Sequence, residues 1–234
     1  MQILRIDPNE DREAFLEERR GTIGGSDSKD VAPLSRGTDK RPSGLWKLIA
    51  GKLFVAADGE KPRDRGLRVE EAGIQYVARK FDLKMDYVPG MWIADFNKDI
   101  HSSPDGAELA DVPTFAVENK ALDSHTHIMA IVKDLEAKKL PNYNPLESTN
   151  ISSRNDYRYQ CRQYFVVNPD CQKVYFNLHD DRADSDLYEN YTIVITREDV
   201  GEDAIEAQKY MEINAIEQAR TITKFIIKEL TEEA

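Results

Sequence analysis

The chain has 234 residues, 40% of them hydrophobic and 32% charged, with a formal net charge of −11. That balance describes an ordinary globular protein long enough for a buried core, and no apolar run has the length needed to span a bilayer. The acidity speaks against a generic nucleic-acid coat protein, which is normally basic, but leaves open an enzyme whose carboxylates hold a metal ion.

Met1 to Asp7 lacks the layout of a signal peptide, so the expectation is a cytoplasmic protein with no membrane partner. Cys161 and Cys171 are too few for a zinc site or a disulfide framework and read as reduced thiols. Asp7-Pro8-Asn9-Glu10 opens a helix, with Asp7 as cap, Pro8 in the first position and Glu10 completing a capping box. That helix should stop near Arg20, before Gly21. Gly24-Gly25-Ser26 then turns the chain into a short helix capped by Ser26. Such a start is either a plain capped turn or a place where amides meet an anion.

Leu45 to Ala50 predicts a short helix ended by Gly51, and Phe54 to Arg65 a polar loop. From Gly66 to about Lys80 the spacing of Val69, Ala72, Gly73, Tyr76 and Val77 predicts a helix. Glu70 lies beside that stripe, where a solvated glutamate is the ordinary expectation. Leu83 to Val88 alternates like a strand, and Met91 to Ala94 could pair with it across Pro89-Gly90. A central strand should run from about Thr114 to Leu122, followed by a helix from Thr126 to Lys139. Leu140 to Asn155, rich in Pro, Asn and Ser, reads as a long surface loop.

Asp156 to Val167 predicts a helix stopped by Asn168-Pro169, with Gln160 and Gln163 on one face. Two strands follow, Lys173 to Leu178 and Tyr191 to Ile195, and then an amphipathic helix from about Glu202 to Leu230. His125-Thr126-His127 reads as surface loop, and Trp46 and Trp92 as core. Nothing separates domains, so the expected organisation is one domain: a helical part over about 1–80, a sheet with helices over about 81–200, and a closing helix over about 202–231. The class is α/β with a mixed sheet.

Chemistry concentrates around Ser102-Ser103-Pro104-Asp105-Gly106, a turn that leads towards Phe115-Ala116-Val117-Glu118-Asn119-Lys120. In a strand alternate side chains share a face, so Glu118 and Lys120 point one way and Asn119 the other. Two carboxylates and an ammonium converging there can bind a hard cation such as Mg²⁺ and orient a water.

The ordered set Arg19-x-Gly21-x-Ile23-x-x-Ser26, Gly66-x-x-x-Glu70, Ser103-Pro104-Asp105-Gly106, Glu118-x-Lys120 and Tyr157-x-x-Gln160 resembles the lambda-exonuclease family of phage recombination nucleases, the YqaJ-like viral recombinases. The likeness covers roughly residues 10–200. It implies the PD-(D/E)xK, restriction-endonuclease-like core: a mixed β-sheet flanked by helices. By resemblance Asp105 and Glu118 bind Mg²⁺, for which Mn²⁺ would substitute, and Lys120 positions or activates water. Glu70 would hold a second metal or its water, and Gln160 would orient the nucleophile, with Gln163 as the other candidate. Arg19, Ser26 and Ser103 would hold the terminal 5′-phosphate.

The implied activity is Mg²⁺-dependent 5′→3′ digestion of one strand at double-stranded DNA ends, giving mononucleotides and a 3′ single strand for a single-strand annealing protein. The resemblance also implies a homo-oligomer in the form of a ring-shaped trimer. The chain departs from the pattern at Asn119, where an apolar residue is more usual, and in the long interval from Lys120 to Tyr157. Arg63, Arg65 and Arg68 could line a local basic DNA groove or form a solvated face. A restriction-like or structure-specific endonuclease, and a non-catalytic DNA-binding protein on the same fold, are the competing functions.

Overall fold

The computed structural model describes residues 62–87, 89–152, 155–215 and 228, and the side chains from residue 69 onward. The expectations for Arg19, Ser26, the opening helix and Leu45 to Ala50 lie outside the described residues, as do the side chains of Arg63, Arg65 and Arg68.

The elements run α1 (Pro62–Phe81), β1 (Met85–Asp86), β2 (Trp92–Ile93), β3 (His101–Ser102), β4 (Gly106–Glu108), β5 (Phe115–Lys120) and α2 (Ser124–Ala137). After these come α3 (Pro145–Ser148), β6 (Asn150–Ser152), β7 (Asn155–Asp156), α4 (Arg158–Val167), β8 (Lys173–His179), α5 (Asp186–Glu189), β9 (Asn190–Thr196) and α6 (Arg197–Val200). Residues 202–215 form a further helix, α7. Five strands make a mixed sheet in the order β1-β4-β5-β8-β9, beside two small two-stranded ribbons. Among the described residues no helix is long and apolar enough to cross a membrane.

Helix α1 begins at Pro62, four residues before the expected start at Gly66. Proline suits the first helical position because its missing N–H has no intrahelical partner to lose. The strand at Met85 is short, and it pairs with Ala107 and Glu108 rather than with Met91 to Ala94. Trp92–Ile93 pairs instead with His101–Ser102. A Pro-Gly turn of type I or II geometry splays its flanking strands, so it does not enforce a hairpin. Leu140 to Asn155 is not a plain surface loop. Asn144 caps α3 by accepting from the Leu146 amide at 2.8 Å, Pro145 sits at the helix start, and Leu146, Thr149 and Ile151 are buried.

The chain forms two compact units, comprising 62–73, 120–141 and 178–191 on the one hand, and 74–119, 142–177 and 192–215 on the other. In the first, Ile128 and Ile131 of α2 pack with Ala183, Tyr188 and Tyr191. Buried Asp134 accepts from Tyr191 Oη at 2.6 Å and pairs with Lys138 at 2.7 Å. His127 is fully buried on α2, not in a surface loop, and its Nε2 lies 2.8 Å from the Tyr188 carbonyl. Buried Asp180 pairs with Arg182, which also donates to the Leu122 carbonyl.

In the second unit, Ile74, Val77 and Ala78 of α1 pack with Met85, Phe115, Val117 and Tyr175. This apolar set uses the odd-numbered face of β5. Asn119 continues that face as a polar link, for Asn177 donates to its side-chain oxygen at 2.9 Å and accepts from Thr192 Oγ1 at 2.9 Å. The asparagine that breaks the apolar pattern thus ties three strands together. Cys161 and Cys171 are buried thiols outside any disulfide, and burial pushes the Cys171 thiol up to about 12.

Gly106 fixes how closely α1 approaches the sheet. A Cβ there would stand 2.8 Å from Ile74 Cγ2 and 3.1 Å from Met85 Sδ. Gly106→Ala should therefore cost roughly 1–3 kcal/mol, the usual range for overpacking. A urea titration showing an unchanged midpoint would contradict that close approach.

Candidate active site

Pro104 and Asp105 end the turn that starts β4, and Gly106 is paired with Val117. In that register the next rung sets Asp105 against Glu118. The Asp105 N–H donates to the Val117 carbonyl at 3.0 Å, and its carboxylate accepts from the Asn119 N–H at 2.7 Å. The aspartate is thus fastened at both its backbone and its side chain to the segment of β5 that carries Glu118. A carboxylate accepting a backbone N–H makes one of the stronger hydrogen bonds.

Glu118 is 1% exposed. Burying an ionised carboxylate without hydrogen bonds is costly, and here the Tyr164 phenol on α4 donates to Glu118 Oε2. The same hydroxyl lies 3.4 Å from the Ser103 carbonyl. Burial, followed by the Glu118 and Asp105 carboxylates, holds the Tyr164 phenol far above its ordinary range, so it remains a donor. Trp92 braces the phenol edge-on at 6.0 Å between ring centres. Trp92 itself is half-buried and packs with Ala94, Ile100 and Val167.

Lys120 is half-buried at the end of β5, two residues from Glu118, which strand alternation puts on the same face. Glu70 is half-buried on α1. Both belong to the first compact unit, whereas Asp105, Glu118, Ser103, Gln160 and Tyr164 belong to the second. Ser103 and Gln160 are exposed and line one cleft together with Gln163. Gln163 is engaged, donating to Glu212 at 3.0 Å and accepting from Gln208 at 2.8 Å.

Among the described residues no group of three or more His, Cys, Asp or Glu side chains is gathered to hold a metal ion. The register of β4 and β5 brings two carboxylates, Asp105 and Glu118, opposite each other. Two carboxylates offer hard oxygens, the chemistry suited to a cation that keeps several waters and shares substrate phosphate. The residues present fit such an ion. Tyr164 was not anticipated from sequence. A tyrosine on the buried side of a helix facing a charged strand was the available signal.

No protein-family model matches the chain, and no curated protein matches it. Solved structures do. The crystal structure of an alkaline exonuclease, LHK-Exo from Laribacter hongkongensis, gives a TM-score of 0.51 at 19% identity, over 93% of this chain and 99% of that one. The structure of LHK-Exo in complex with dAMP gives 0.55 at 18% identity, over 95% and 100%. The fold is that of the alkaline exonucleases. It is a mixed sheet flanked by helices.

Tyr164→Phe removes the donor to Glu118 and leaves the carboxylate buried. A hydrogen bond to a charged group contributes about 1.5–3 kcal/mol, and the variant should lose that much stability. Chemical denaturation giving a loss below about 0.5 kcal/mol would show that the bond does not support the buried glutamate.

Proposed function

We propose that this chain is a metal-dependent DNA exonuclease of the lambda-exonuclease, YqaJ-like type. It would digest one strand of duplex DNA in the 5′→3′ direction from a 5′-phosphorylated end, releasing mononucleotides and leaving a 3′ single strand. One observation carries the proposal: Asp105 is fastened to the strand segment that holds the buried Glu118, on a fold shared with alkaline exonucleases. Shared fold alone does not fix function, so the weight rests on that carboxylate pair.

Asp105 and Glu118 would hold Mg²⁺, or Mn²⁺ in its place, with Glu70 contributing to a second ion or its water. When bound, the ion would lower the pKa of water and stabilise charge on the leaving oxygen. Lys120, on the face of Glu118, would steady the attacking hydroxide, and Gln160 would orient it. Arg19, Ser26 and Ser103 would clamp the terminal phosphate, guanidinium and hydroxyls being a strong pairing for that anion. A clamp for a chain end makes the difference between an exonuclease and an endonuclease. The partners in this reading are duplex DNA ends and a single-strand annealing protein in the cytoplasm, with the chain working as a ring-shaped trimer.

Linear duplex labelled on one strand, with 5′-phosphate or 5′-hydroxyl ends, tests the reading in Mg²⁺ and in EDTA. Mononucleotides should leave only the 5′-phosphorylated strand, and only with Mg²⁺. Asp105→Ala and Lys120→Ala should abolish release, while Arg19→Ala should erase the preference for the phosphate. Cutting of covalently closed circular duplex, which has no end, would overturn the exonuclease in favour of an endonuclease.

A further inference from the structure

Beside the carboxylate pair lies a cleft of about 540 Å³ bounded by β3, α4 and α7, a size in the range of small-molecule sites. Ser103 and Tyr164 form its edge towards Glu118, while Tyr159, Met211 and Glu212 form the rest of the wall. Among the described residues no lysine or arginine lines it, and Glu212 contributes a carboxylate. Away from its Ser103 edge, that lining offers a phosphate no cation. It suits an uncharged, flat group.

Tyr159 is the distinctive wall residue. It is 56% exposed, yet it is held in place. Its carbonyl accepts from Gln208 at 3.2 Å. The guanidinium of Arg162, which does not line the cleft, covers its ring with the carbon 5.5 Å from the ring centre. Gln208 is buried and also donates to Gln163 and Glu212, which stiffens the walls on either side. Ser102, buried on the cleft wall, has a hydroxyl with no hydrogen-bond partner among the described residues. An exposed aromatic ring fixed in place offers a stacking surface, and bases stack on such rings with little regard to identity.

We infer that this cleft is a nucleobase seat: Tyr159 stacks on the base of a nucleotide at the strand end whose phosphate lies at Asp105 and Glu118. The inference rests on this chain acting on DNA ends. Stacking on Tyr159 positions the strand, with the phosphate at the Ser103 edge rather than beside Glu212. Recognition is independent of base identity, as an enzyme that degrades any sequence requires.

The test uses the full chain with blunt duplex DNA carrying 5-iodo-2′-deoxyuridine at the first or second nucleotide of the 5′-phosphorylated strand. Ca²⁺ replaces Mg²⁺, and irradiation is followed by peptide mapping. The crosslink should fall on Tyr159. Tyr159→Phe should keep crosslinking at residue 159, and Tyr159→Ala should reduce the yield about tenfold or more, in line with the measured contribution of one stacked base. A crosslink elsewhere, or an undiminished yield in Tyr159→Ala, would overturn the seat. If the chain degrades DNA ends but gives no crosslink at Tyr159, the seat alone fails. If it binds no DNA in a mobility-shift assay, the nuclease reading and the seat fail together.

Discussion

A carboxylate buried inside a sheet has to be compensated, and Glu118 places that demand on its surroundings. With 1% exposure it has almost no water to solvate it, and an uncompensated charge there would oppose folding. Tyr164 answers from α4, Trp92 braces the phenol, and the ribbon of β2 and β3 brings the Ser103 carbonyl to the same hydroxyl. Asp105 accepts from the Asn119 amide on β5, next to Glu118. Two acidic groups that would repel each other in isolation are thus fixed close together by donors aimed at each. A divalent cation held between the two would offset their repulsion, which is the physical reason for proposing a metal centre here.

The packing around β5 serves this geometry. Its odd-numbered side chains face α1 through Phe115 and Val117, and Gly106 allows that helix to come close. Asn119 then passes the sheet's order on to Asn177 and Thr192 through hydrogen bonds rather than apolar contact. The even-numbered face carries the buried Ala116 and Glu118, with Lys120 at the end of the strand.

That alternation is why so much was legible from the chain. The Pro-Asp-Gly turn, the strand carrying Glu118 and Lys120, and helices α2 and α4 all follow from local pattern, and each forms within a few residues of its expected bounds. What the chain concealed was non-local. Met85 pairs with Glu108, more than twenty residues away, and no local turn signal announces such a partner. His127 looked like loop because its neighbours are polar, but α2 turns it inward to the Tyr188 carbonyl. The Pro- and Asn-rich stretch after Leu140 looked irregular because those residues usually mark loops. Here Asn144 and Pro145 instead start a helix that buries Leu146. Tyr164 was hidden for a similar reason: only the folded sheet shows which strand its hydroxyl meets.

The central claim is that Asp105 and Glu118 together form a divalent-cation site. Isothermal titration of Mn²⁺ into the full chain without DNA tests it most directly, with Asp105→Asn and Glu118→Gln titrated alongside. The account predicts saturable binding by the unaltered chain and its loss in both variants, each of which keeps the shape of the side chain but removes its charge. Binding that survives unchanged in both variants would place the metal elsewhere and contradict the account.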